Sequence, residues 1–448
     1  MQVTTNSPEE IRKNDSKYVW HAMKGYTDES HSLIIDRAEG AWVTDIEGRE
    51  YLDGMSGLWC VNAGYGRQEL AQAAYDQLTK LPYFPLSHSH EPSIRLAEKL
   101  NEYLDDDYVF FFSNSGSEAN ETAFKIARQY HQQKGDTNRY KFISRYRAYH
   151  GNTMGSLAAT GQAQRKYKYE PFSQGFLHVA PPDLYRNPED NTTLSSAEAI
   201  NQVMTWELSE TIAGVIMEPI ITGGGVLMPP DNYMKRVKEI CEQHGSLLIA
   251  DEVICGFGRT GEPFGFMNYD VKPDIITMAK GITSAYMPLS ATAVKREIYE
   301  AYVGDSDYDR LRHVNTYGGS PAACAVALKN IEIMEREQLF KRSKELGTRL
   351  LDDLSPLREH PMVGDIRGKG LLLGIELVND KESKSPLESS TISDVIEACK
   401  KKGLLVGKNG DTVAGYNNII QLAPPLSITE QDYQFILKTL RESFEIIK

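Results

Sequence analysis

Two short apolar runs, each with one charged side chain at its end, most constrain how this chain can fold. Residues 247–254 read Leu-Leu-Ile-Ala-Asp-Glu-Val-Ile and include Asp251, whereas residues 274–279 read Asp-Ile-Ile-Thr-Met-Ala and are followed by Lys280. Continuous apolar runs of this length are typical of strands buried on both faces of a parallel sheet. Since open α/β sheets bind ligands at the carboxyl ends of their strands, we expect Asp251 and Lys280 to lie in one crevice.

Helical and strand-like patterns alternate between about residues 70 and 325, which predicts an α/β fold with a mainly parallel sheet flanked by helices. The predicted strands are 108–113, 141–145, 214–219, 247–254, 274–279 and 289–294. A hairpin pattern at 40–53 precedes this region. It is followed by a helix pattern at 322–336, a strand at 370–377 and a closing helix at 431–444.

These patterns divide the chain into three parts. Residues 1–59 are predicted to form an N-terminal arm and part of a small lobe, and residues 60–325 a large ligand-binding domain. Residues 326–448 are predicted to complete the small lobe, so that both ends of the chain contribute to it.

Composition excludes several classes of function. The formal net charge of −13, with no Lys/Arg-rich run, argues against a nucleic-acid surface. No apolar stretch has the length of a membrane span, and the first residues lack the pattern of a signal peptide. The five cysteines are scattered without metal-ligand spacing, so we expect free thiols, no metal site and a cytoplasmic protein.

An acid and an amine at two strand ends suit pyridoxal phosphate. The Lys280 amine can bond to the cofactor aldehyde, and Asp251 can keep the pyridine nitrogen protonated so that the ring accepts electrons. The apolar run before Lys280 favours this interpretation over a surface lysine, because a desolvated lysine has the lowered pKa that this chemistry needs.

A turn of small residues, Ser-Asn-Ser-Gly-Ser at 113–117, lies between a predicted strand and a helix pattern at 118–130. Its backbone N–H groups, hydroxyls and positive helix end can bind a phosphate. An isolated turn of this kind is more often an ordinary helix cap. Its combination with Asp251 and Lys280 favours the phosphate site.

Further candidates follow two of the other predicted strands. Tyr149 is placed to stack on a flat ring, although a lone tyrosine more often only packs, and His150 is either a base or a structural histidine. Glu218 before Pro219 adds a carboxylate to the crevice, where the alternative is a surface salt bridge. Gly223 begins a glycine run that permits close backbone approach, and it is assigned to the substrate site.

Together these motifs resemble those of the class III pyridoxal-phosphate aminotransferases, the omega-aminotransferase group of fold type I. Ser-Asn-Ser-Gly-Ser-Glu-Ala-Asn, Tyr-His-Gly, Asp-Glu-Val-Ile-Cys-Gly-Phe-Gly-Arg-Thr-Gly and Met-Ala-Lys-Gly occur in the family's order, and the match runs from about 57 to 426. The resemblance implies that Lys280 binds the cofactor and moves the substrate proton, while Asp251 pairs with the pyridine nitrogen. It also implies that Tyr149 stacks on one ring face and Val253 packs on the other.

The same resemblance assigns the cofactor's phosphate to Ser115, Gly116 and Ser117, and it places Glu218 near the phenolic oxygen. Thr316 is similar to the family's threonine that reaches the phosphate of the neighbouring subunit. This implies at least a homodimer, and a tetramer remains open.

One pocket residue and one departure from the family bear on the substrate. Trp59 resembles the aromatic wall of the amine pocket in relatives that use pyruvate as acceptor, and segment 82–89 would contribute to that pocket. Where many relatives carry an arginine for the substrate carboxylate, this chain has Lys408. We expect Lys408 to bind the acid group with amide donors from Asn409, Asn417 or Asn418, and the alternative is a solvated loop lysine.

The resemblance is closest to taurine–pyruvate and β-alanine–pyruvate aminotransferases. It implies transfer of an amino group from an omega-amino acid or primary amine to pyruvate by a ping-pong mechanism. The alternatives on the same fold are an adenosylmethionine-8-amino-7-oxononanoate aminotransferase, an aminomutase and a decarboxylase. A cofactor-sensing regulator is disfavoured, because an arm of about 35 residues is too short for a DNA-binding module.

Overall fold

Strands form three sheets in the parts of the chain that the computed structural model describes, residues 7–23, 32–105, 107–409 and 412–446. Parts of the predicted arm, 1–6 and 24–31, lie outside these residues. The strands are β1 (Ile35–Glu39), β2 (Trp42–Asp45), β3 (Glu50–Asp53), β4 (Tyr108–Ser113), β5 (Lys141–Arg145), β6 (Phe176–Val179), β7 (Ile212–Met217), β8 (Leu247–Asp251), β9 (Ile275–Met278), β10 (Ser290–Lys295), β11 (Val363–Gly368), β12 (Leu373–Asp380), β13 (Ser385–Pro386), β14 (Leu404–Leu405), β15 (Gly407–Lys408) and β16 (Ile419–Leu422).

Helices connect the strands and cover the sheets. They are α1 (Pro8–Tyr18), α2 (Ser56–Trp59), α3 (Gln68–Lys80), α4 (Glu91–Glu102), α5 (Gly116–Gln133), α6 (Met154–Ala159), α7 (Ala163–Lys166), α8 (Asp190–Thr193), α9 (Ser195–Trp206), α10 (Tyr233–His244), α11 (Arg296–Glu300), α12 (Pro321–Arg336), α13 (Leu339–Leu354), α14 (Ser389–Lys401) and α15 (Glu430–Phe444). Short 3₁₀ turns occur at Ser209–Thr211, Gly265–Tyr269, Lys280–Ile282 and Ser355–Glu359. None of the helices described is long and apolar enough to cross a membrane.

The central sheet has seven strands in the order β4-β10-β9-β8-β7-β5-β6. Neighbouring pairs from β6 to β9 are parallel, whereas β10 runs antiparallel to both β9 and β4. The predicted α/β fold with a mainly parallel sheet is therefore confirmed. All six predicted strands are present, and β6 is a seventh that the sequence patterns did not indicate.

Strand β8 ends earlier than the apolar run suggested. We predicted a strand to residue 254, but the Val253 N–H donates to Asp251 Oδ1 at 3.1 Å and so turns the chain away from the ladder. Asp251 is therefore the last residue of its strand. Lys280 begins the 3₁₀ turn shortly after β9, the neighbouring parallel strand, so the two residues share one sheet edge.

The central sheet is buried on both faces. Along β8, Leu248 and Ala250 belong to the core on one face, and Leu247 and Ile249 to the core under α5 on the other. Burying a large aliphatic side chain stabilises a fold by about 1.5–3 kcal/mol. This two-sided burial explains why the sequence of the strand is continuously apolar rather than alternating.

The two ends of the chain meet in a second sheet, of order β1-β2-β3-β14. The hairpin β2–β3 is antiparallel, as its pattern predicted, and β14 joins it in parallel by pairing Leu404 with Leu52. A third sheet contains β11, β12, β16 and β15. The predicted boundary between 325 and 326 lies inside the continuous helix α12, and the division into domains remains a prediction.

Candidate active site

The Lys280 amine lies in the crevice at the carboxyl edge of the central sheet. Residue 280 has a left-handed backbone, with φ of +49°, which is uncommon for a residue with a side chain. Its Nζ lies 5.3 Å from the ring centroid of Trp59, and within the described chain it has no hydrogen-bond partner. Burial lowers the pKa of Lys280, against the opposing effect of nearby Cys60, Asp251 and Glu218.

The Asp251 carboxylate is held by a fixed set of donors. Oδ2 lies 2.8 Å from His150 Nδ1 and accepts from Asn120 Nδ2 at 2.9 Å. Asn120 is itself fixed, because its side-chain oxygen accepts from Thr277 Oγ1 at 2.7 Å. Asp251 is only 3% exposed, so its orientation is set by the chain rather than by water.

His150 holds the Asp251 carboxylate through one ring nitrogen. Its Nδ1 faces the Asp251 carboxylate, and its Nε2 is buried with no partner in the described part of the chain. Asn120 was not singled out from the sequence, although it belongs to the Ser-Asn-Ser-Gly-Ser-Glu-Ala-Asn motif. Its position one helical turn after Gly116 is the signal that could have indicated its inward direction.

Glu218 connects two segments that border the crevice. One carboxylate oxygen accepts from the Tyr149 N–H at 3.1 Å, and the other from the Thr222 N–H and hydroxyl at 3.0 and 2.5 Å. Burial raises the pKa of Glu218. Its carboxylate therefore fixes the backbone of Tyr149 relative to the turn that carries Gly223.

The turn of small residues caps helix α5. The Ser115 hydroxyl accepts from the Glu118 N–H, and the Glu118 carboxylate accepts from the N–H of Ser115, which forms a capping box. The Ser117 hydroxyl is engaged with Asn152. Helix N-termini leave N–H groups free beyond the cap, so the backbone of Gly116 and Ser117 can still receive an anion.

Gly116 and Val253 lie against each other. A Cβ on Gly116 would approach both methyl carbons of Val253 to 2.9 Å, closer than side chains normally pack. The start of helix α5 and the turn after β8 are therefore in direct contact. This contact brings the turn at the start of α5 next to the strand end that carries Asp251.

Tyr149 and Trp59 are aromatic residues that border the Lys280 crevice. A Cβ on Gly223 would lie 3.9 Å from the Tyr149 Cβ, so this glycine borders the tyrosine, and the Arg165 guanidinium lies 5.1 Å from its ring centroid. Trp59 packs on an apolar cluster beyond the sheet edge and has a left-handed backbone, with φ of +57°. The structure thus brings the predicted Trp59, Tyr149 and Gly223 towards the crevice.

Thr316 is exposed on the surface. Its carbonyl accepts from the Tyr83 hydroxyl at 2.9 Å, which connects it to the predicted pocket segment 82–89. Within one chain Thr316 has no contact with the Ser115–Ser117 turn among the interactions of the described residues. Its role towards a second subunit remains a prediction.

The Lys408 amine is bonded to helix α14. It donates to the Ser389 and Ser393 hydroxyls of α14, at 3.0 and 3.4 Å. Two of the three amides expected to assist it are also engaged, because Asn409 donates to the Tyr416 carbonyl and Asn418 to the Leu377 carbonyl. In this structure two serines hold the Lys408 amine on the helix, and the expectation that Lys408 binds the substrate's acid group remains a prediction.

A charged cluster, which the sequence patterns did not indicate, lies behind the glycine turn. It is centred on Glu376, which is fully buried and pairs with Arg186 at 2.5 Å and Arg367 at 2.8 Å. Arg147 and Arg367 donate to the carbonyls of Gly224 and Gly225 respectively. The remaining members of the Glu376 cluster are Asp183 and Asp365.

The cluster also fixes the loop before β16. Arg147 and Arg186 lie 5.2 and 5.0 Å from the ring centroid of Tyr416, in cation–π contact with it. No group of three or more His, Cys, Asp or Glu in the described ranges could hold a metal ion. The five cysteines are free thiols.

A parallel α/β sheet that presents an amine and a carboxylate at adjacent strand ends, beside an anion-binding helix start, defines a fold type I transferase. The chain belongs to the class III aminotransferases, since the family profile described as "Aminotransferase class-III" matches residues 25–444. The resemblance inferred from the motifs is confirmed. This family depends on pyridoxal phosphate.

Similar proteins cover nearly the whole chain. The uncharacterized aminotransferase YhxA of Bacillus subtilis is 72% identical over 98% of this chain and 97% of its own length. A taurine–pyruvate aminotransferase of Bilophila wadsworthia is 39% identical over 97% of this chain and 96% of its own. The crystal structure of a Bacillus anthracis aminotransferase superposes with a TM-score of 0.96 at 64% identity, covering 98% of each chain.

Proposed function

We propose that this protein transfers an amino group from an omega-amino acid or primary amine, such as taurine or β-alanine, to pyruvate by a ping-pong mechanism. Pyridoxal phosphate is the proposed cofactor, and a cytoplasmic homodimer the proposed form. The observation that carries the proposal is the Lys280 amine, which lies in the crevice beside Trp59 and close to the Asp251 carboxylate. The 39% identity to a taurine–pyruvate aminotransferase supports this choice of substrates.

The residues around the crevice fit the proposed cofactor. The backbone N–H groups of Gly116 and Ser117, with the Ser115 hydroxyl, would hold the phosphate. The Ser117 hydroxyl is already engaged with Asn152, so its contribution would come through the backbone. Gly116 lies against Val253, so the proposed phosphate site is next to the residue proposed to pack on the ring.

The remaining contacts concern the ring. Tyr149 would stack on one face and Val253 would pack on the other, and Asp251 would accept a hydrogen bond from the protonated ring nitrogen. The donors from His150 and Asn120 fix the Asp251 carboxylate in place before any ligand arrives. When bound, pyridoxal phosphate supplies an electron sink that stabilises negative charge on the substrate carbon.

Lys280 is the proposed base. An amine works as a base only in its neutral form, and its ordinary pKa keeps it protonated near neutral pH. Burial lowers the pKa of Lys280, which increases the neutral fraction. Nζ could then take the proton from the substrate Cα and, with pyridoxal phosphate bound, deliver it to the C4′ carbon of the cofactor on the same side of the site.

A second subunit would complete the site. Thr316 lies on a surface with large exposed apolar side chains, among them Val314 at 73% and Tyr317 at 69% exposed. Apolar surface of this kind is typical of interfaces between subunits. We propose that this surface pairs with a second copy, so that Thr316 reaches the partner's phosphate site.

The proposal is tested by the absorbance of the loaded enzyme. Taurine or β-alanine should convert the aldehyde form of the cofactor to the amine form, and pyruvate should reverse the change. Lys280→Ala should show neither conversion while keeping the circular dichroism of the wild type. Conversion with S-adenosylmethionine but not with omega-amino acids would support the biosynthetic alternative, release of carbon dioxide a decarboxylase, and isomerisation of the amino acid an aminomutase.

The proposed number of subunits is tested by a separate measurement of molecular mass. Light scattering after size exclusion should give at least twice the mass of 50.3 kDa that one chain has. A monomer at all accessible concentrations would contradict a site completed by Thr316.

A further inference from the structure

We infer that Arg165 is the residue that binds the distal acid group of an omega-amino acid in this protein. The inference rests on the proposed function and deepens it, since it names the residue that selects the substrate class. It replaces the role that the sequence suggested for Lys408, whose amine is bonded to α14.

Arg165 lies beside the proposed cofactor site. It is half-buried on helix α7, and its guanidinium carbon is 5.1 Å from the ring centroid of Tyr149. Stacking of a guanidinium on an aromatic ring is favourable and leaves the N–H edges free for hydrogen bonds. The charge of Arg165 is therefore held against the tyrosine that is proposed to contact the cofactor.

The guanidinium is oriented by one neutral neighbour. Its Nε donates to Gln162 Oε1 at 2.7 Å, and Gln162 Nε2 in turn donates to the Arg147 carbonyl at 2.9 Å. Gln162 is 1% exposed, so this support is rigid. The bonds fix the inner edge of Arg165 and leave the opposite edge for another acceptor.

Arg165 has no acidic partner within the described residues. Besides Gln162 and the Tyr149 ring, its side chain contacts the sulfur of Met23, at 3.6 Å, and it takes part in none of the ion pairs between described residues. Arg186, another partly buried arginine near Tyr416, is by contrast paired with Asp183 and Glu376. A half-buried cation without a counter-ion can bind an anionic ligand.

The other arginines at this end of the sheet are already engaged. Arg145 and Arg147 are buried and donate to the carbonyls of Glu218 and Gly224, and Arg147 also pairs with Asp183. Arg259 is buried and donates to four acceptors of the chain. Arg165 is thus the arginine whose position and free donors suit a carboxylate or a sulfonate, since its planar N–H groups match either acid.

The test compares donors with and without an acid group. The rate of the donor half-reaction, kcat/KM, is measured from cofactor absorbance with taurine, β-alanine and propylamine. We expect Arg165→Gln to lower kcat/KM for the two acid donors by about 10- to 100-fold, the range for a hydrogen bond to a charged group. Propylamine should change by less than about twofold by the same reasoning, because it has no acid group to lose.

Two further variants separate charge from shape and position. Arg165→Lys keeps the charge but loses the planar donors, so its kcat/KM for the acid donors should fall between those of the wild type and Arg165→Gln. Lys408→Ala is the matched control and should leave all three donors unchanged. Equal losses with propylamine, or losses with the acid donors in Lys408→Ala alone, would overturn the assignment.

A binding measurement keeps this inference distinct from the proposed function. Ethanesulfonate and propionate lack an amino group, and their affinity for the holoenzyme is measured by calorimetry. Arg165→Gln should weaken both by about the same factor as the acid donors. If the wild type converts neither taurine nor β-alanine, the proposed function fails, but the affinities for ethanesulfonate and propionate still test Arg165. Equal affinities in the wild type and Arg165→Gln would refute the inference.

Discussion

Loss of the negative charge at Glu376 should destabilise the protein far more than loss of a surface charge. Glu376 is fully buried, and its two oxygens pair with Arg186 and Arg367. Glu376→Gln keeps the side-chain size but leaves the partly buried Arg186 and Arg367 without their central counter-charge. Breaking a buried ion pair by removing one partner costs about 3–5 kcal/mol.

The expected change in melting temperature follows from the length of the chain. The unfolding entropy of about 2.1 cal/mol/K per residue over 448 residues makes 1 kcal/mol correspond to about 1 °C. Glu376→Gln should therefore lower Tm by about 3–5 °C at pH 7. The measurement is thermal unfolding followed by circular dichroism, at one protein concentration for all variants.

Glu262 supplies a matched control. It pairs with Lys344 at 2.8 Å, the same distance as between Glu376 and Arg367, but the two side chains are 32% and 63% exposed. Exposed pairs are worth about 0–1 kcal/mol, so Glu262→Gln should shift Tm by no more than about 1 °C. Equal shifts in the two variants would refute the reasoning from burial.

The contribution of Glu376 to stability should decrease at low pH. Burial alone would raise the pKa of Glu376, but the surrounding Arg367, Arg186 and Arg147 outweigh it and lower the pKa below 4.5. A carboxyl group with a lowered pKa stabilises the fold above its unfolded pKa, and this stabilisation is lost as the pH falls through the folded value. The difference in Tm between wild type and Glu376→Gln should be constant above about pH 4.5 and shrink below it.

Three further variants test the crevice. Gly116→Ala places a methyl group 2.9 Å from both Val253 methyl carbons, so Tm should fall by about 1–3 °C. The added change Val253→Ala should restore most of this loss. An unrestored Tm would contradict the contact between the two residues. Trp59→Ala would remove one wall of the proposed amine pocket, so kcat/KM for 1-phenylpropylamine should rise relative to that for propylamine. An unchanged ratio would contradict this role of the ring. His150→Phe removes the 2.8 Å contact with Asp251, so kcat should fall by about 10- to 100-fold at unchanged cofactor content, and wild-type turnover would assign His150 to packing alone.

Local sequence patterns predicted the sheet and the residues at its edge. The apolar runs ending near Asp251 and Lys280 form adjacent parallel strands because burial on both faces leaves a clear signal in the sequence. The start of helix α5 at Ser115 could likewise be predicted, since a helix cap is a local sequence pattern. The family and the enzyme class inferred from these motifs are confirmed.

Contacts between distant segments could not be predicted in the same way. The Glu376 cluster joins residues from 147 to 376, and no local pattern links them. The role expected of Lys408 came from its place in the family's motif, whereas two serines of α14, 15 and 19 residues away, determine where its amine lies. Arg165 was missed because its significance depends on the ring of Tyr149 beneath it.

The parallel pairing of β14 with β3 has a consequence for how the protein is made. Leu52 and Leu404, which pair in this sheet, lie at opposite ends of the chain. At about 5–20 residues per second, a ribosome needs roughly 20–70 s to synthesise the intervening chain. During that time the hairpin β2–β3 exposes an unpaired edge to the cell, whereas the central sheet contains only strands from 108–295 and can form earlier. Folding of the nascent chain should therefore begin in the middle and close last where its two ends meet.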